Sequence, residues 1–425
     1  MAALQAAPSR GGACPREQQL EPHRRPARCC VAAAATRREA LLAGGGAALG
    51  LAAARPAAAA APPPPKPFCA VVDRPPAWAF ATPWQEDVFE FAGGRTWYRA
   101  VNQAPPRRGL LGALPGADKY GTVAPGKLPL LVLPGGPGLP AGYLESVELV
   151  AGVGRTVVFY DQLGCGNTLL ASGGAAPPDA DLTPAALATQ LDALRERLGL
   201  ERVHLYGQGA GGVLALSYAA RAGGVVSVTA ASTPPSSAAL AADRRAALAA
   251  ALPPGGAAAL LEADAAGALG GAGLGGGAGL SPEAAAAWAA YNRARVCRFG
   301  PATAASPPGC ARGALARRSP ALFRALAGGR YFDAAGALAG WDAAALLAGG
   351  GGGGLAALPV LVSRGEFDEV SPASARALAA ALPGGSFAEF AGSGAFQHID
   401  AWEPHLTAVE EHMCAAEGSP PPTAA

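Results

Sequence analysis

The sequence predicts an α/β fold: a doubly wound, mostly parallel β-sheet that carries an inserted helical cap. Short runs of consecutive apolar residues, typical of strands buried on both faces of a parallel sheet, alternate with helical patterns. The alternation stops in residues 235–345, where helix-like segments are separated by Gly-rich tracts, and then resumes. Strand–loop–helix units interrupted by one helical block favour a doubly wound sheet with a cap.

The length and composition allow one large domain of this kind together with additional segments. The chain has 425 residues, of which 51% are hydrophobic, and this is ample for a sizeable core. We expect a leader and Pro-rich linker at 1–65, a first core segment at 66–234, the cap at 235–345 and a second core segment at 346–425.

The leader has the composition of a targeting sequence. Residues 1–36 are rich in Arg, Ala and Pro and poor in acidic residues, as organelle transit peptides are. The pair Arg37 and Arg38 then precedes a weakly apolar run, Ala40–Ala54, and a stretch of small residues, in the order of a twin-arginine signal. These features predict a chloroplast protein with the thylakoid lumen as its destination. The alternative is an Ala-rich leader in which the arginine pair arose by chance.

The charge distribution argues against a nucleic-acid partner. Residues 1–60 carry eight Arg and three Glu, whereas the remainder carries 25 basic and 28 acidic residues, so the net charge of +2 belongs to the leader. The rest of the chain has no basic patch that would suggest nucleic-acid binding. The apolar run in the leader is also shorter than the roughly 20 residues of a membrane-spanning helix. No stable membrane span is therefore expected, and the oligomeric state is left open.

The cysteine pattern predicts neither a metal site nor a bound cofactor. The chain has eight cysteines, but no pair beyond the leader has the spacing of metal ligands. Cys297 and Cys310 are close enough in sequence to form a disulfide in an oxidising compartment. Isolated reduced thiols are the alternative.

The first core segment alternates strands and helices as the fold requires. Val88–Val101 is predicted to form a hairpin around a Gly-Gly turn, and Leu128–Leu133 and Thr156–Tyr160 to form buried strands. A helix is predicted at Thr183–Leu198, where leucines recur at helical spacing. Val225–Ala230 is predicted to be the last strand before the cap.

The cap and the second core segment follow the same reasoning. Helix-like patches in the cap occur at Ala238–Ala251, Pro282–Val296 and Pro320–Ala327. After the cap, the predicted elements are two strands and two helices. In chain order these are a strand at Leu358–Ser363, a helix at Pro372–Ala381, a strand at Ser386–Phe390 and a helix at Leu406–Cys414.

A sharp strand-to-helix turn lies at the centre of the first core segment. The predicted strand Val203–Tyr206 and the predicted helix that starts near Val213 are joined by Gly207-Gln208-Gly209-Ala210-Gly211-Gly212. Small residues are needed where backbone passes close to backbone. In a nucleophile elbow, G-x-S-x-G, such a turn raises a serine to the top of a parallel sheet. Here the central position of that frame is Gly209.

The sequence resembles the proline iminopeptidases, a family of α/β-hydrolases, over about residues 85–415. Six motifs occur in the order and spacing of that family. They are LVLPGGPG (131–138), YDQLGCGN (160–167), YGQGAGG (206–212), GALAGWD (336–342), GEFDEVSP (365–372) and HIDAWEP (398–404). The resemblance implies an α/β-hydrolase fold and an aminopeptidase that releases N-terminal proline or another small residue.

The resemblance also implies a Ser-His-Asp mechanism, in which histidine takes the serine proton and aspartate orients the histidine. The acid maps to Asp368. Counting from the preceding strand places the histidine at Ala395, whereas counting back from the Trp-Glu-Pro motif places it at His398, and we take His398 as the base. The nucleophile position is Gly209, which carries no nucleophile.

The oxyanion donors map to Gly135 and Gly136 in the first motif and to the backbone amide of Ala210. The histidine that usually opens the first motif of the family is replaced by Pro134.

No neighbouring residue offers an evident replacement for the serine. Ser217 is two turns into the helix, and Cys165 is taken as structural. His204 is interpreted as a core histidine with satisfied hydrogen bonds, and His405 and His412 are expected to be exposed on the last helix.

The resemblance weakens at the residues that would bind a substrate amine. The family binds the free α-amine with acidic residues, and Glu283 and Asp333 are candidates here. A Glu that the family commonly places before the Phe of the cap is Tyr331 in this chain. Asp342 is interpreted as a helix cap.

Three functional hypotheses follow from these residues. The first is a pseudoenzyme with the fold of a proline iminopeptidase that still binds a peptide or an amino-acid amide. The second is an active aminopeptidase with a displaced nucleophile, which the retained Asp368 and His398 would favour. The third is a non-catalytic scaffold protein, which a closed or Gly-filled cleft would favour.

Overall fold

The computed structural model of the protein describes residues 84–102, 127–271, 279–298, 309–349 and 354–419. The predicted leader and several Gly-rich tracts lie outside these residues. Among the described helices, none has both the length and the apolar character that a membrane crossing requires.

The centre of the fold is one eight-stranded sheet. Its strands, in chain order, are β1 (Trp84–Phe91), β2 (Gly94–Val101), β3 (Leu130–Leu133), β4 (Val157–Tyr160), β5 (Val203–Gln208), β6 (Val225–Ala231), β7 (Val360–Gly365) and β8 (Gly385–Phe390). Their spatial order is β1-β2-β4-β3-β5-β6-β7-β8. β1 pairs antiparallel with β2, β2 pairs antiparallel with β4, and the other five pairs are parallel. The predicted hairpin and the mostly parallel sheet are confirmed.

Helices cover the sheet and form the cap. The helices before the cap are α1 (Gly166–Ala171), α2 (Pro184–Leu198) and α3 (Ala210–Ala219). Those between β6 and β7 are α4 (Ser237–Ala251), α5 (Pro254–Ala265), α6 (Pro282–Arg295), α7 (Gly309–Ala316), α8 (Pro320–Ala327) and α9 (Ala343–Ala348). The remaining three are α10 (Pro372–Ala381), α11 (Gln397–Asp400) and α12 (Trp402–Glu417).

Short 3₁₀ helices complete the described elements. They lie at Ala141–Val153, Asp179–Asp181, Ala268–Gly271 and Gly336–Leu338. The first of them has 13 residues and is not predicted by the sequence pattern.

The core lies on both faces of the sheet, as continuous apolar strands require. On β3, Leu131 packs into one cluster with Leu205 of the neighbouring strand. Leu130 and Val132 point to the other face, where they pack into a cluster that includes Met413 of α12. A third, aromatic-rich cluster fills the cap. The parallel strands therefore end together beneath the cap, and their last residues and following loops form the site described next.

Candidate functional site

A cavity of about 100 Å³ lies between the ends of the parallel strands and the cap. Five of the parallel strands contribute a residue at or just after the strand's end. In chain order these residues are Gly136 after β3, Gln208 and Gly209 after β5, Ser232 after β6, Glu369 after β7 and Ala395 after β8. The cap contributes three arginines, Arg244, Arg318 and Arg330. Loops from separate strands converge here because parallel strands present their carboxyl ends at one edge.

The turn between β5 and α3 has the backbone of a nucleophile elbow. Gly209 is the N-cap of α3, with φ of 56° and ψ of −117°, a conformation that L side chains rarely adopt. A Cβ at Gly209 would meet no atom within 4 Å. A Cβ at Gly207 would instead collide with the Gly211 carbonyl oxygen, and one at Gly211 with the Leu133 carbonyl oxygen. The glycines at 207 and 211 thus allow close backbone packing, whereas position 209 has room for a side chain.

Asp368 follows β7 and is buried beside the cavity. Its Oδ2 accepts hydrogen bonds from Ser232 Oγ at 2.7 Å, Gln397 Nε2 at 3.0 Å and the Gly365 amide at 3.2 Å. Oδ1 accepts from the Val370 amide at 3.0 Å. Burial raises the pKa of Asp368 to about 6, although the Ser232 hydroxyl opposes this shift. Ser232 and the side-chain amide of Gln397 therefore bind the carboxylate that, by the resemblance, would orient a histidine.

The structure does not bring His398 to Asp368. His398 is fully buried in α11 and lies outside the cavity lining, and its Nε2 is 3.1 Å from the Tyr143 carbonyl oxygen. Its Nδ1 has no hydrogen-bond partner among the described residues. Burial lowers the pKa of His398 to about 3, so the ring stays neutral. The ring packs against Tyr143 and Phe396, and no described hydrogen bond joins it to Asp368, so the assignment of His398 as the base stays a prediction.

Counting forward from the preceding strand, the alternative considered above, selects a residue that lines the cavity. Ala395 lines the cavity, and its carbonyl oxygen accepts from Ser232 Oγ at 2.8 Å. This residue follows β8 in the Ser393-Gly394-Ala395 turn, five residues after the strand end at Phe390. The described part of the cavity lining contains no imidazole.

The two predicted glycine donors of the oxyanion hole differ. The Gly135 amide donates to Tyr143 Oη at 2.9 Å, and that hydroxyl donates to Gln208 Oε1 at 2.8 Å, so Gly135 is already engaged. Gly136 and Ala210 line the cavity, and no hydrogen bond within the described chain uses either amide. Among the described residues, Gly136 and Ala210 thus have amides without a hydrogen bond, whereas the Gly135 amide is bound to Tyr143, and the oxyanion role of all three stays a prediction.

The acids and arginines of the cavity form pairs that the sequence reasoning missed. Glu369 accepts from Tyr291 Oη at 2.8 Å and Tyr331 Oη at 2.5 Å, and its other oxygen lies 3.3 Å from Arg244 Nη2. Its position directly after Asp368 in the GEFDEVSP motif was the available signal. Glu369 therefore lies where Tyr331 and the cap can hold it at the cavity wall.

The two acids that were candidates for amine binding have other surroundings. Asp333 lines the cavity but is bound to Arg245 and Arg330. Glu283 is exposed in the first turn of α6 and does not line the cavity. Asp342 caps α9 as predicted, because its Oδ1 accepts from the amides of Ala344 and Ala345.

The thiols have structural surroundings. Cys165 is fully buried and donates to the Gly138 carbonyl oxygen at 3.1 Å, and burial raises its pKa well above the usual value. It is structural, as predicted. Cys297 is buried, and its Sγ lies 3.6 Å from Asp400 Oδ1.

Of the three other described histidines, one has the surroundings that the sequence predicts and two do not. His204 is a satisfied core residue, because both ring nitrogens have hydrogen-bond partners. His405 is fully buried, against the prediction, because its ring packs on Tyr206 and its Nε2 lies 3.0 Å from Tyr206 Oη. His412 is half-buried rather than exposed.

One buried cluster has the residue types of a catalytic triad. His204 Nδ1 lies 2.8 Å from Ser227 Oγ, and its Nε2 lies 3.1 Å from Glu417 Oε1. Glu417 is also bound by Arg155 at 2.7 Å. All three triad-like side chains are buried and none lines the cavity described above, so substrate has no access to the hydroxyl there. The cluster is a structural network at the opposite ends of the strands.

Comparison with known proteins identifies the same fold. Residues 129–266 match the alpha/beta hydrolase fold family. The chain is 44% identical over 93 residues to a proline iminopeptidase of Lactobacillus delbrueckii subsp. lactis, which is 22% of this chain and 31% of that protein. It is 36% identical over 134 residues to the proline iminopeptidase of Clostridioides difficile strain 630, which is 32% and 38% of the two chains. The chain thus spans less than two-fifths of the length of these relatives.

The structural comparison covers more of the molecule. The crystal structure of a proline iminopeptidase from Mycobacterium smegmatis superposes with a TM-score of 0.62 and 26% identity, covering 78% of this chain and 99% of that one. The sheet topology and the family match show an α/β-hydrolase fold. In its motifs and in its fold, the chain is similar to proline iminopeptidases.

Proposed function

We propose that this protein is a non-hydrolytic relative of the proline iminopeptidases that binds a small ligand in the cavity under its cap. The observation that carries this proposal is that Gly209 and Ala395, the two cavity positions where a nucleophile and a base belong, carry neither. The similarity of the motifs and the fold to proline iminopeptidases supplies the mechanism against which these positions are compared.

Loss of both groups removes the chemistry that cleaves the peptide bond. Acyl transfer requires an attacking atom and a group that takes its proton. In subtilisin, a serine protease that uses the same three groups, losing the serine or the histidine alone costs about a millionfold in kcat. Ser232 cannot replace the serine, because its hydroxyl is engaged with Asp368 and Ala395 and no imidazole lines the cavity among the described residues.

The binding features of the site are retained. The cavity is open to small molecules, Gly136 and Ala210 present free amides, and Glu369 is fixed at its wall. These features favour ligand binding over a scaffold role, for which no cavity would be needed. A displaced nucleophile is less favoured: Ser237 also lines the cavity, but its Oγ donates to the Leu338 carbonyl oxygen, and no imidazole in the described lining could take its proton.

The proposal predicts that two substitutions together, but neither alone, restore hydrolysis. In Gly209→Ser/Ala395→His, the hydroxyl takes the open space at 209 and the imidazole follows β8 beside Asp368. We expect turnover of proline-4-nitroanilide by the double variant only, with the native protein and both single variants at the buffer baseline. The readout is release of 4-nitroaniline by purified protein.

A matched control separates the triad from other effects. Gly209→Ala/Ala395→His introduces the same backbone strain without a hydroxyl and should be inactive. Hydrolysis by the native protein that survives repurification would overturn the proposal, because it would require a nucleophile elsewhere. Hydrolysis by Gly209→Ser alone would also contradict it, since a base would then already be in place.

A further inference from the structure

Arg318 is a cationic side chain in the cavity that has no anionic partner among the described residues. It lies between α7 and α8 and lines the same cavity as Gly136. Its Nε and Nη1 atoms are buried and make no hydrogen bond within the described chain. Its guanidinium carbon lies 5.2 Å from the centre of the Phe323 ring, which is its one described packing partner of this kind.

The other two arginines of the cavity are neutralised. Arg244 Nη2 lies 3.3 Å from Glu369 Oε2. Arg330 Nη2 lies 2.6 Å from Asp333 Oδ2, and its Nε lies 3.7 Å from Asp264 Oδ2. The acids among the described cavity-lining residues are thus already paired with arginines. Arg318 has no acidic partner among them.

An unpaired charge of this kind is costly to the free protein. Removing a guanidinium from water without a partner is unfavourable, and burial lowers the pKa of Arg318 for that reason. Arginine nevertheless stays protonated in proteins. The cost is removed when an anion enters and accepts from the unused N–H groups, so the free site is set up for an anionic ligand.

We propose that the cavity binds a small carboxylate, with the carboxylate held by Arg318 and by the free amides of Gly136 and Ala210. The proposal rests on the proposed function, because it takes the cavity to be a binding site that does not cleave its ligand. It names the class of that ligand. The planar guanidinium fork matches the two oxygens of a carboxylate, and backbone amides at the start of a helix favour an anion.

Size and charge narrow the class further. A cavity of about 100 Å³ has room for a molecule of the size of a small amino acid. One unpaired arginine balances a single negative charge, so a monocarboxylate suits the site better than a dianion such as phosphate. The walls contributed by Leu139, Leu315 and Leu326 suit a compact apolar body behind the carboxylate.

The test is a binding titration of the full chain with ligands that differ in one group. L-proline and cyclopentanecarboxylate carry the carboxylate, and L-prolinamide keeps the ring and the amine without it. We expect calorimetric binding of the two carboxylates and binding of the amide at least tenfold weaker. Arg318→Gln should weaken carboxylate binding by about tenfold or more, since a buried charge pair is lost. Arg317→Gln, at the adjacent exposed arginine, should leave binding unchanged.

Two results would overturn the proposal. One is equal or tighter binding of prolinamide, and the other is full carboxylate affinity in Arg318→Gln. If no carboxylate binds at concentrations up to about 20 mM, the dissociation constant lies above the millimolar range, and this would overturn the proposal as well. Inorganic phosphate is tested in the same titration. If phosphate competes as well as the carboxylates do, the cavity is a general anion site and not a carboxylate site.

A second measurement is independent of the ligand. Without ligand, Arg318→Met should leave the midpoint of thermal unfolding unchanged or raise it, because it removes an unpaired charge and keeps the length of the side chain. A lowered midpoint would reveal a structural partner for Arg318 and would count against the proposal. Failure of these tests leaves the proposed loss of hydrolysis standing, and turnover by the native protein would be seen separately in the nitroanilide assay.

Discussion

Two glycines in the turn after β5 are subject to different physical constraints. Gly209 has space for a Cβ but a backbone conformation that disfavours L residues. At Gly211 the reverse holds, since a Cβ there would collide with the carbonyl oxygen of Leu133 on β3. The first constraint is local strain, and the second is the distance between the helix and the sheet. These two effects can be measured separately.

We expect Gly209→Ala to lower the free energy of unfolding by about 1–3 kcal/mol, the cost of a strained backbone conformation. Gly211→Ala should cost more, because the helix must move off the sheet to relieve a backbone collision. Urea unfolding of the purified variants provides both values. Gly142→Ala, at an exposed glycine with open space around it, is the control and should be close to native. A smaller cost at 211 than at 209 would show that the helix yields easily.

The base position shows where residue counting reaches its limit. Counting back from the Trp-Glu-Pro motif selects His398 because an imidazole stands at the expected distance, and the structure places Ala395 in the cavity instead. Sequence spacing does not record which way a short helix turns, and α11 directs His398 to the Tyr143 carbonyl. The place of Asp368 beside the site was predictable because it closely follows β7, whose apolar start stands out in the sequence and whose end is fixed by the sheet. Its role as the acid stays a prediction.

At the scale of elements, burial decided what could be predicted. β3 and β4 are four-residue strands with every residue buried, so their apolar runs stand out in the sequence. The 3₁₀ helix Ala141–Val153 was missed although Tyr143, Leu144 and Val147 are buried on it. It is bounded by glycine and proline, which mask its periodicity. The pair of Arg244 and Glu369 could not be predicted, because it joins α4 of the cap to the loop after β7 across 125 residues.

The start of α9 gives a prediction at this scale. Asp342 accepts from the amides of Ala344 and Ala345 at 2.7 and 3.1 Å, satisfying donors that a helix start leaves open. Asp342→Ala should lower the free energy of unfolding by about 1 kcal/mol, whereas Asp342→Asn keeps the acceptor and should cost much less. Chemical denaturation of the two variants measures the difference. An equal loss in both would mean that the charge, and not the hydrogen bond, stabilises this end of the helix.

At the scale of the whole molecule, the buried histidines and carboxylates have opposite effects on the free energy of unfolding as the pH falls. Burial lowers the pKa of His398 and His405 to about 3 and raises the pKa of Asp368 to about 6. A lowered histidine pKa favours the unfolded state as pH falls below about 6.5, because only the unfolded chain then binds the proton. A raised aspartate pKa has the opposite effect between about 6 and 4. The pH profile of the native protein is therefore a sum of both, and single variants are needed to separate them.

His405 is suited to that separation because it lies outside the cavity. Its ring is buried, its Nε2 meets Tyr206 Oη at 3.0 Å, and its Nδ1 has no partner among the described residues. His405→Gln should be less stable than the native protein at pH 7, since packing of the ring is lost. The difference should shrink as the pH falls from 6.5 to 4, by at most about 1.4 kcal/mol per pH unit, because the variant no longer has a proton to bind on unfolding.

Urea unfolding at pH 7, 6, 5 and 4 measures this change against a non-titrating control. Val409→Ala, one turn further along α12 and also buried, removes packing without removing a proton site, so its cost should not vary with pH. If the cost of His405→Gln is as constant as that of Val409→Ala, His405 has the same pKa in both states. Its burial would then be compensated by an interaction that keeps it titrating normally, which the lone contact with Tyr206 does not provide.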